Sequence, residues 1–214
     1  MIFDLLFPGK CVLCRKVLAK DETDLCRSCR QNAPEFISAK NNIPFVAGWT
    51  AVWYYKDDVK SSIVRYKFYN AQSYASAYGR LLALRILQMN VDFDILTWVP
   101  VSRRRRFKRG YDQVALIAQT VSKELGIPMT PTLKKVRHNK TQSNLRDPSQ
   151  RKANVLGAYT ALPGCDLIGK TVLLLDDVIT TGATTSECAK TLLTAGAKEI
   201  YCAAVASAHK NKQK

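Results

Sequence analysis

The sequence predicts an α/β fold in which a parallel sheet is flanked by helices. From Asp94 onward, strand-like and helix-like runs alternate, a pattern typical of parallel sheets. The run Thr171–Leu175 indicates a buried strand, as expected where helices cover both faces of a sheet. With 214 residues and 47% hydrophobic residues, the chain is long enough for one such domain and a small appendage.

The individual elements follow from periodicity and from turn residues. Gly126 and Pro128 end one helical run, and Gly196 ends another. The expected strands are Trp49–Tyr55, Ile95–Val99, Thr171–Leu175 and Ile200–Ala206. The expected helices are Lys60–Phe68, Tyr74–Met89, Gln113–Leu125 and Thr184–Ala195. The segments 103–109 and 137–160 are both interpreted as loops.

Two domains are expected. Residues 1–35 contain two pairs of cysteines and no long periodic segment, which favours a small lobe organised by a metal. Residues 36–214 form the α/β domain. Within it, residues about 137–157 are polar and basic and are predicted to be a flexible loop.

The cysteine pairs predict a metal site. Cys11 and Cys14 form one C-x-x-C pair, and Cys26 and Cys29 form a second one eleven residues later. Four thiolates close a tetrahedral zinc site and leave no position for a substrate, so the expected role is structural. An iron–sulfur cluster and a dithiol redox pair remain alternatives.

The other three cysteines lie in apolar surroundings, which favours core positions. This cysteine usage fits a reducing cytoplasm better than a disulfide framework, so a cytoplasmic protein is expected. No run of about 18 apolar residues is present, so no membrane span is expected.

The positive charge is concentrated in one segment. The formal net charge is +16, and the stretch from Val101 to Lys152 contains 14 Lys and Arg residues against three acidic ones. About two-thirds of the excess positive charge therefore lies in a quarter of the chain. Such a concentration favours a polyanionic ligand, either nucleic acid or a small molecule rich in phosphate. The alternative is a solvated basic surface.

The strongest chemical motif follows the strand at Thr171–Leu175. Asp176 and Asp177 come at the carboxyl edge of a parallel sheet, where ligands bind in open α/β folds. A Thr- and Gly-rich turn then leads into a helix, and its residues are Thr180, Thr181, Gly182, Ala183 and Thr184. Amides at such a turn suit a phosphate, whereas carboxylates suit ribose hydroxyls, directly or through a divalent cation. The combination predicts a ribose 5-phosphate ligand.

This segment resembles the signature of type I phosphoribosyltransferases, which bind 5-phosphoribosyl-1-pyrophosphate (PRPP). The resemblance implies that Asp176 and Asp177 anchor the ribose ring, that Thr180–Thr184 hold the 5-phosphate, and that magnesium accompanies PRPP. It also implies displacement of pyrophosphate from C1 by a nucleophile through an oxocarbenium-like transition state. Enzymes of this class for 6-oxopurines carry Asp where this chain has Thr180, so the acceptor is not expected to be hypoxanthine or guanine.

A second motif narrows the resemblance to the competence protein F (ComF) family. It comprises Arg105-x-x-x-Arg109-Gly110-Tyr111-x-Gln113 and, further on, Arg137, Gln142, Leu145, Arg151, Asn154 and Gly157-Ala158-Tyr159. The resemblance implies that Arg105 and Arg109 stabilise the departing pyrophosphate, that the second segment is a flexible loop, and that the four cysteines form a finger. Asp112 departs from the family, which has Asn there, and lacks an amide donor.

Two functions are therefore expected. The first is a magnesium-dependent phosphoribosyltransferase with an undetermined acceptor. The second is a non-catalytic DNA-handling protein that uses the phosphoribosyl site for binding or sensing. The family is associated with natural transformation, which implies single-stranded DNA and proteins of the competence machinery as partners. The aromatic residues that would fit that role, if they are not core residues, are Trp49, Trp53, Tyr54, Tyr55, Phe68 and Tyr69.

Overall fold

The computed structural model describes residues 8–37, 43–69, 71–137 and 155–208, with the side chain of Lys108 outside the description. A four-stranded parallel sheet runs through it in the spatial order β1-β6-β5-β2. The strands are β1 (Gly48–Tyr54), β2 (Ile95–Trp98), β5 (Thr171–Ile179) and β6 (Glu199–Ser207). A separate hairpin pairs β3 (Leu133–Lys135) with β4 (Tyr159–Ala161).

Helices cover both faces of the sheet, as the sequence predicts. Those in the described residues are α1 (Arg27–Asn32), α2 (Asp57–Phe68), α3 (Tyr74–Leu87), α4 (Arg103–Arg109), α5 (Gln113–Leu125) and α6 (Ala183–Thr194). Residues of α2, α3 and α5 form one buried core with one face of β5. Residues of α6, β3 and β4 form a second core with the other face.

Close packing between α3 and α5 depends on a glycine. A Cβ on Gly79 of α3 would lie 2.3 Å from Thr120 Cβ of α5, well inside contact distance. Because the two helices meet there, α5 is held against the sheet with its N-terminus beside the carboxyl ends of the strands. This placement determines where Gln113 points.

The cysteine-containing lobe packs onto α2 and α3. Ser62 Oγ of α2 donates to the Val12 carbonyl and lies 2.6 Å from Tyr78 Oη of α3. Arg80 of α3 forms a two-point ion pair with Asp24, with Nε 2.9 Å from Oδ2. Val12 and Leu13 are buried in the same core as α2 and α3. Buried polar contacts thus orient the lobe on the α/β domain.

Two loop predictions from the sequence are wrong. Arg103–Arg109 is helix α4, because the Ser102 hydroxyl accepts from the Arg105 N–H and Gly110 ends the helix with a φ of 80°. Within 137–160, Tyr159 and Thr160 belong to β4, because they pair with Lys135 and Lys134 of β3. The helix Gln113–Leu125 is present with the predicted ends, and the other predicted elements are present with shifted ends.

Three cysteines were expected in the core. Cys188 and Cys202 are buried, whereas Cys165 is half-buried. Across the described ranges, every helix is too short or too polar to cross a membrane.

Candidate functional site

Strand β5 carries the two adjacent carboxylates to the end of the sheet. The strand does not stop at Leu175 as predicted but continues to Ile179, since Asp176 and Val178 still pair with β6. Side chains alternate along it, with Leu175 in the first core and Leu174 in the second. Asp177 therefore lies on the side of α2 and α5, and Asp176 lies on the side of the β3–β4 hairpin.

Asp177 is held by two side chains that lie outside the Asp176–Thr184 segment. Lys67 Nζ, near the end of α2, lies 2.7 Å from its Oδ1, and Gln113 Nε2, at the start of α5, lies 3.0 Å from its Oδ2. Asp177 is only 6% exposed. Burial acts to raise its pKa, but the Lys67 charge and these hydrogen bonds bring the pKa below its usual value. Asp177 is thus an oriented, ionised carboxylate.

Gln113 completes this arrangement and leaves an acceptor without a partner. The side chain is buried, and its Nε2 is directed to Asp177 because a carboxylate accepts only. Its buried Oε1 consequently has no hydrogen-bond partner among the described residues. A buried acceptor of this kind suits a hydroxyl or amine donor from water or a ligand.

Asp176 has a different environment. It is half-buried, and its Oδ1 accepts from the Asp177 N–H at 2.7 Å. Burial and the neighbouring Asp177 charge raise its pKa to about 7, partly offset by the charges of Lys67 and Lys135. Lys135 Nζ lies 3.1 Å from Tyr159 Oη across the β3–β4 hairpin. The two carboxylates therefore differ in protonation near neutral pH, although they are adjacent in sequence.

The turn after β5 has the geometry of an anion site. Gly182 is the N-cap of α6 with a φ of 72°, a left-handed conformation that favours glycine. A Cβ at this position would lie 3.0 Å from Ile43 Cγ1. The Ala183 N–H donates to Thr181 Oγ1 at 3.4 Å, and Gly182 has no side chain with which to cap the helix. The N-terminus of this twelve-residue helix follows directly after the carboxylates.

Arg105 and Arg109 lie close enough to interact electrostatically, but they have different neighbours. Arg109 is half-buried and lies 5.0 Å above the Phe68 ring; burial lowers its pKa, while the nearby Asp177 charge acts to raise it. Arg105 is close enough to Lys135 to lower the pKa of that amine, after the larger effect of burial. The other arginines of α4, at positions 103, 104 and 106, are exposed.

The Asp112 carboxylate accepts hydrogen bonds from backbone N–H groups. Its Oδ1 accepts from the N–H groups of Val114 and Ala115 at 3.1 and 3.2 Å, which makes it the N-cap of α5. Its Oδ2 accepts from the Val101 N–H at 3.4 Å. The side chain that departs from the expected Asn is therefore engaged in fixing α5, and with it Gln113.

The predicted flexible loop lies mostly outside the described residues, which exclude 138–154. Its two ends are held together, since the Val136 N–H donates to the Ala158 carbonyl at 2.9 Å. The Gly157 N–H also donates to Glu187 Oε1 of α6 at 2.6 Å. Both ends thus lie beside the hairpin that faces Asp176.

The four predicted metal ligands come together in the N-terminal lobe. The sulfur atoms of Cys11, Cys14, Cys26 and Cys29 all lie within 4.8 Å of one another. Among the residues that the structure describes, they form a single cluster of potential metal ligands. Zn–S bonds of about 2.3 Å place tetrahedral sulfurs roughly 3.8 Å apart, so this donor set fits a zinc ion.

Comparison with known families agrees with both parts of the fold. Residues 2–41 match the double zinc ribbon domain, and residues 115–214 match the phosphoribosyl transferase domain. The chain is therefore a phosphoribosyltransferase-fold protein with an N-terminal zinc ribbon domain. Its relatives over most of its length include proteins named competence protein F, YhgH and ComFC.

Two of these relatives cover almost the whole chain. Competence protein F of Haemophilus influenzae is 29% identical over 91% of this chain and 95% of its own length. The DNA utilization protein YhgH of Salmonella typhi is 28% identical over 92% of this chain and 97% of its own. Among solved structures, glutamine PRPP amidotransferase from B. subtilis is 23% identical, covering 66% of this chain and 30% of its own, with a TM-score of 0.45.

The contacts at the carboxylate pair explain what sequence reasoning missed. Lys67 stands 110 positions from Asp177, and no local pattern near Phe68 distinguishes it from an exposed helix-end lysine. Gln113 appears in the family motif, but its contact with Asp177 depends on how α5 packs. The alternation of side chains along β5, in contrast, could have been expected once the strand was extended past Leu175.

Proposed function

We propose that the carboxyl edge of the sheet binds PRPP or a close phosphoribosyl relative and transfers its phosphoribosyl group to an acceptor. The observation that carries this proposal is that an oriented carboxylate pair is followed directly by the N-terminus of α6, within the segment from Asp176 to Thr184. A diol-binding group beside a phosphate-binding group matches a ribose 5-phosphate.

Each part of the edge has a role in this proposal. Asp176 and Asp177 hold the ribose hydroxyls, with Asp177 kept ionised by Lys67. Thr180, Thr181, Gly182, Ala183 and Thr184 hold the 5-phosphate. Arg105 and Arg109 stabilise the charge that develops on the departing pyrophosphate. Residues 137–157 are proposed to exclude water from the oxocarbenium-like transition state.

The donor set fits magnesium as the accompanying ion. Magnesium is usually held by one or two carboxylates together with substrate oxygens, and the half-buried Asp176 offers such a carboxylate. When bound, the ion would neutralise charge on the pyrophosphate. The protein groups would orient the ring and keep the site dry.

The cysteine cluster is proposed to hold one structural zinc ion through Cys11, Cys14, Cys26 and Cys29. Three features support zinc: the four sulfurs, their spacing, and the match to a zinc ribbon domain. The predicted domain boundary near residue 35 remains part of this proposal, with residues 36–214 as the phosphoribosyltransferase-like domain.

A second candidate function is supported by the surface of α4. Its exposed arginines and Phe107, which is 93% exposed, form a basic and aromatic surface beside the carboxylate edge. Competence and DNA utilization proteins among the relatives support a DNA-handling role in natural transformation. In this alternative the chain binds single-stranded DNA in the cytoplasm and cooperates with proteins of the competence machinery, while the phosphoribosyl site serves for binding or sensing.

Calorimetric titration with PRPP tests the ligand on which the first function depends. PRPP should bind with magnesium and only weakly without it. Repeating the titration with a saturating single-stranded oligonucleotide shows whether DNA and PRPP compete for α4. In the Arg104→Glu/Arg105→Glu variant, both ligands should bind less tightly if DNA uses α4. Absence of PRPP binding with intact DNA binding would leave only the DNA-handling function.

A further inference from the structure

A cavity separate from the carboxylate edge lies between the cysteine lobe and helices α2 and α3. Its volume is about 330 Å³, at the low end of the range for small-ligand pockets. The lining residues are Arg15, Arg65, Tyr69, Ala71 and Tyr74. Among the described residues, two guanidinium groups and two phenol rings line this space without a carboxylate, and none of these residues belongs to the carboxylate edge. The composition suits a ligand with both a phosphate and an aromatic ring.

Arg65 is fixed by the lobe and keeps one donor without a partner. Its Nη2 donates to the backbone carbonyls of Leu13 and Val12, and its guanidinium carbon lies 6.0 Å from the centre of the Tyr74 ring. Its buried Nε has no hydrogen-bond partner among the described residues. The guanidinium group is therefore fixed beside the Tyr74 ring at the wall of the cavity, where its positive charge suits a phosphate.

Arg15 adopts a conformation that its side chain disfavours. Its φ is 69°, in the left-handed region where glycine is preferred, and its N–H donates to the Cys11 carbonyl at 2.9 Å. Strained non-glycine residues cluster at functional positions. At this position the turn after Cys14 would be relaxed with glycine, yet it carries a long cation that lines the cavity.

The aromatic residues of the cavity differ in packing and exposure. Tyr74 packs edge-on against the buried Tyr78, with ring centres 6.1 Å apart, so its ring is held. Tyr69, just after α2, is 73% exposed and presents its ring to solvent. Neighbouring Phe68 is also exposed and lies under Arg109. A chain of aromatic and basic groups thus leads from this cavity toward the carboxylate edge.

We propose that this cavity binds one nucleotide unit, with its phosphate between Arg15 and Arg65 and its base stacked on Tyr69. The ligand has two sources, a free mononucleotide or one unit within single-stranded DNA, and both present the same phosphate and base. Base stacking on an aromatic ring tolerates any base, so little sequence preference is expected. This site does not depend on the phosphoribosyl function.

The test uses the full-length zinc-loaded protein and fluorescence anisotropy with labelled dT₈, with unlabelled dTMP as competitor. Replacing Tyr69→Ala should weaken dT₈ binding at least about fivefold, since stacking of one base is worth about 1–3 kcal/mol, while Tyr69→Phe should bind as the wild type does. If dTMP displaces labelled dT₈ at a nucleotide concentration similar to that of unlabelled dT₈, the ligand is a free mononucleotide. Displacement only by unlabelled dT₈ indicates a strand. Either result supports the pocket if the Tyr69→Ala loss is present.

Arg15→Gly distinguishes a binding role from a structural one. Glycine relieves the backbone strain, so the melting temperature should stay the same or rise while dT₈ affinity falls. The slope of log affinity against log salt should drop by about 0.7, the value for one phosphate on a single strand. Lys20→Gly removes an exposed charge from the same lobe. It should change neither the dT₈ affinity nor its dependence on salt.

Three results would overturn the proposal. These are unchanged dT₈ affinity in both Tyr69→Ala and Arg15→Gly, an equal loss in Lys20→Gly, and an equal loss of PRPP affinity in Tyr69→Ala. The last result would make the cavity part of the carboxylate edge. Loss of PRPP binding in carboxylate-edge variants alone would contradict the proposed function and leave this inference standing.

Discussion

Lys67 Nζ and Asp177 Oδ1 lie 2.7 Å apart although their residues are separated by 110 positions in the sequence. The pair is partly buried between α2 and the end of β5. It gives Asp177 a counter-ion that its neighbour Asp176 lacks at this distance among the described residues. Two adjacent acids in one motif therefore have opposite electrostatic environments, with a lowered pKa at Asp177 and a raised one at Asp176.

The first prediction concerns the stability of two matched variants at pH 8. Asp176→Asn removes a charge that burial destabilises, so the free energy of unfolding should rise by about 1–3 kcal/mol. Asp177→Asn leaves Lys67 without its partner, so unfolding should become easier by about 2–4 kcal/mol. Urea denaturation of both variants measures this difference. Changes of the same sign would show that the two carboxylates are not electrostatically distinct.

The second prediction is a pH dependence with a defined sign. Asp176 has a pKa of about 7 in the folded state, above the value of about 3.9 for an unfolded Asp. Between these values the folded protein holds a proton that the unfolded chain has lost, so stability falls as pH rises from about 4 to about 7. Wild type should thus lose stability relative to Asp176→Asn over this window. A constant difference between the two proteins from pH 4 to 8 would refute the raised pKa.

The third prediction concerns the turn at Gly182. Alanine there is strained by the positive φ, and its Cβ would press on Ile43 at 3.0 Å. Gly182→Ala should lower the free energy of unfolding by about 2 kcal/mol or more and weaken PRPP binding. Gly164→Ala is the control, because its φ is 78° but no atom lies within 4 Å of the added Cβ. Equal destabilisation of the two variants would show that Ile43 yields without cost.

The fourth prediction concerns the metal site. Purified protein should contain about one zinc per chain, and Cys26→Ser should lose it and melt at a lower temperature, since so small a lobe has too little core to fold alone. Cys165→Ser, outside the cluster, should retain zinc and melt close to wild type. Iron with visible absorbance, or a normal melting temperature in Cys26→Ser, would contradict a structural zinc site.

The sequence predicted the strand, turn and helix start of the Asp176–Thr184 segment but missed the contacts that depend on packing. The Asp176–Thr184 segment combines strand, acids and turn within one stretch, so its residue types alone indicated the ligand class. Lys67 and the buried acceptor of Gln113 depend on where α2 and α5 pack, which no local pattern encodes. Helix α4 was missed because a run of arginines resembles a solvated loop, although Ser102 and Gly110 are its start and end signals.

If Asp176 faces a phosphoribosyl ligand, its carboxylate contributes to PRPP binding, and a calorimetric comparison of three proteins measures that contribution. PRPP with magnesium is titrated into wild type, Asp176→Asn and the control Asp166→Asn, whose exposed carboxylate pairs with Lys170. We expect Asp176→Asn to lose about 2 kcal/mol or more of binding free energy, while Asp166→Asn binds as wild type does. Equal PRPP affinity in all three proteins, each folded by its melting curve, would contradict the account.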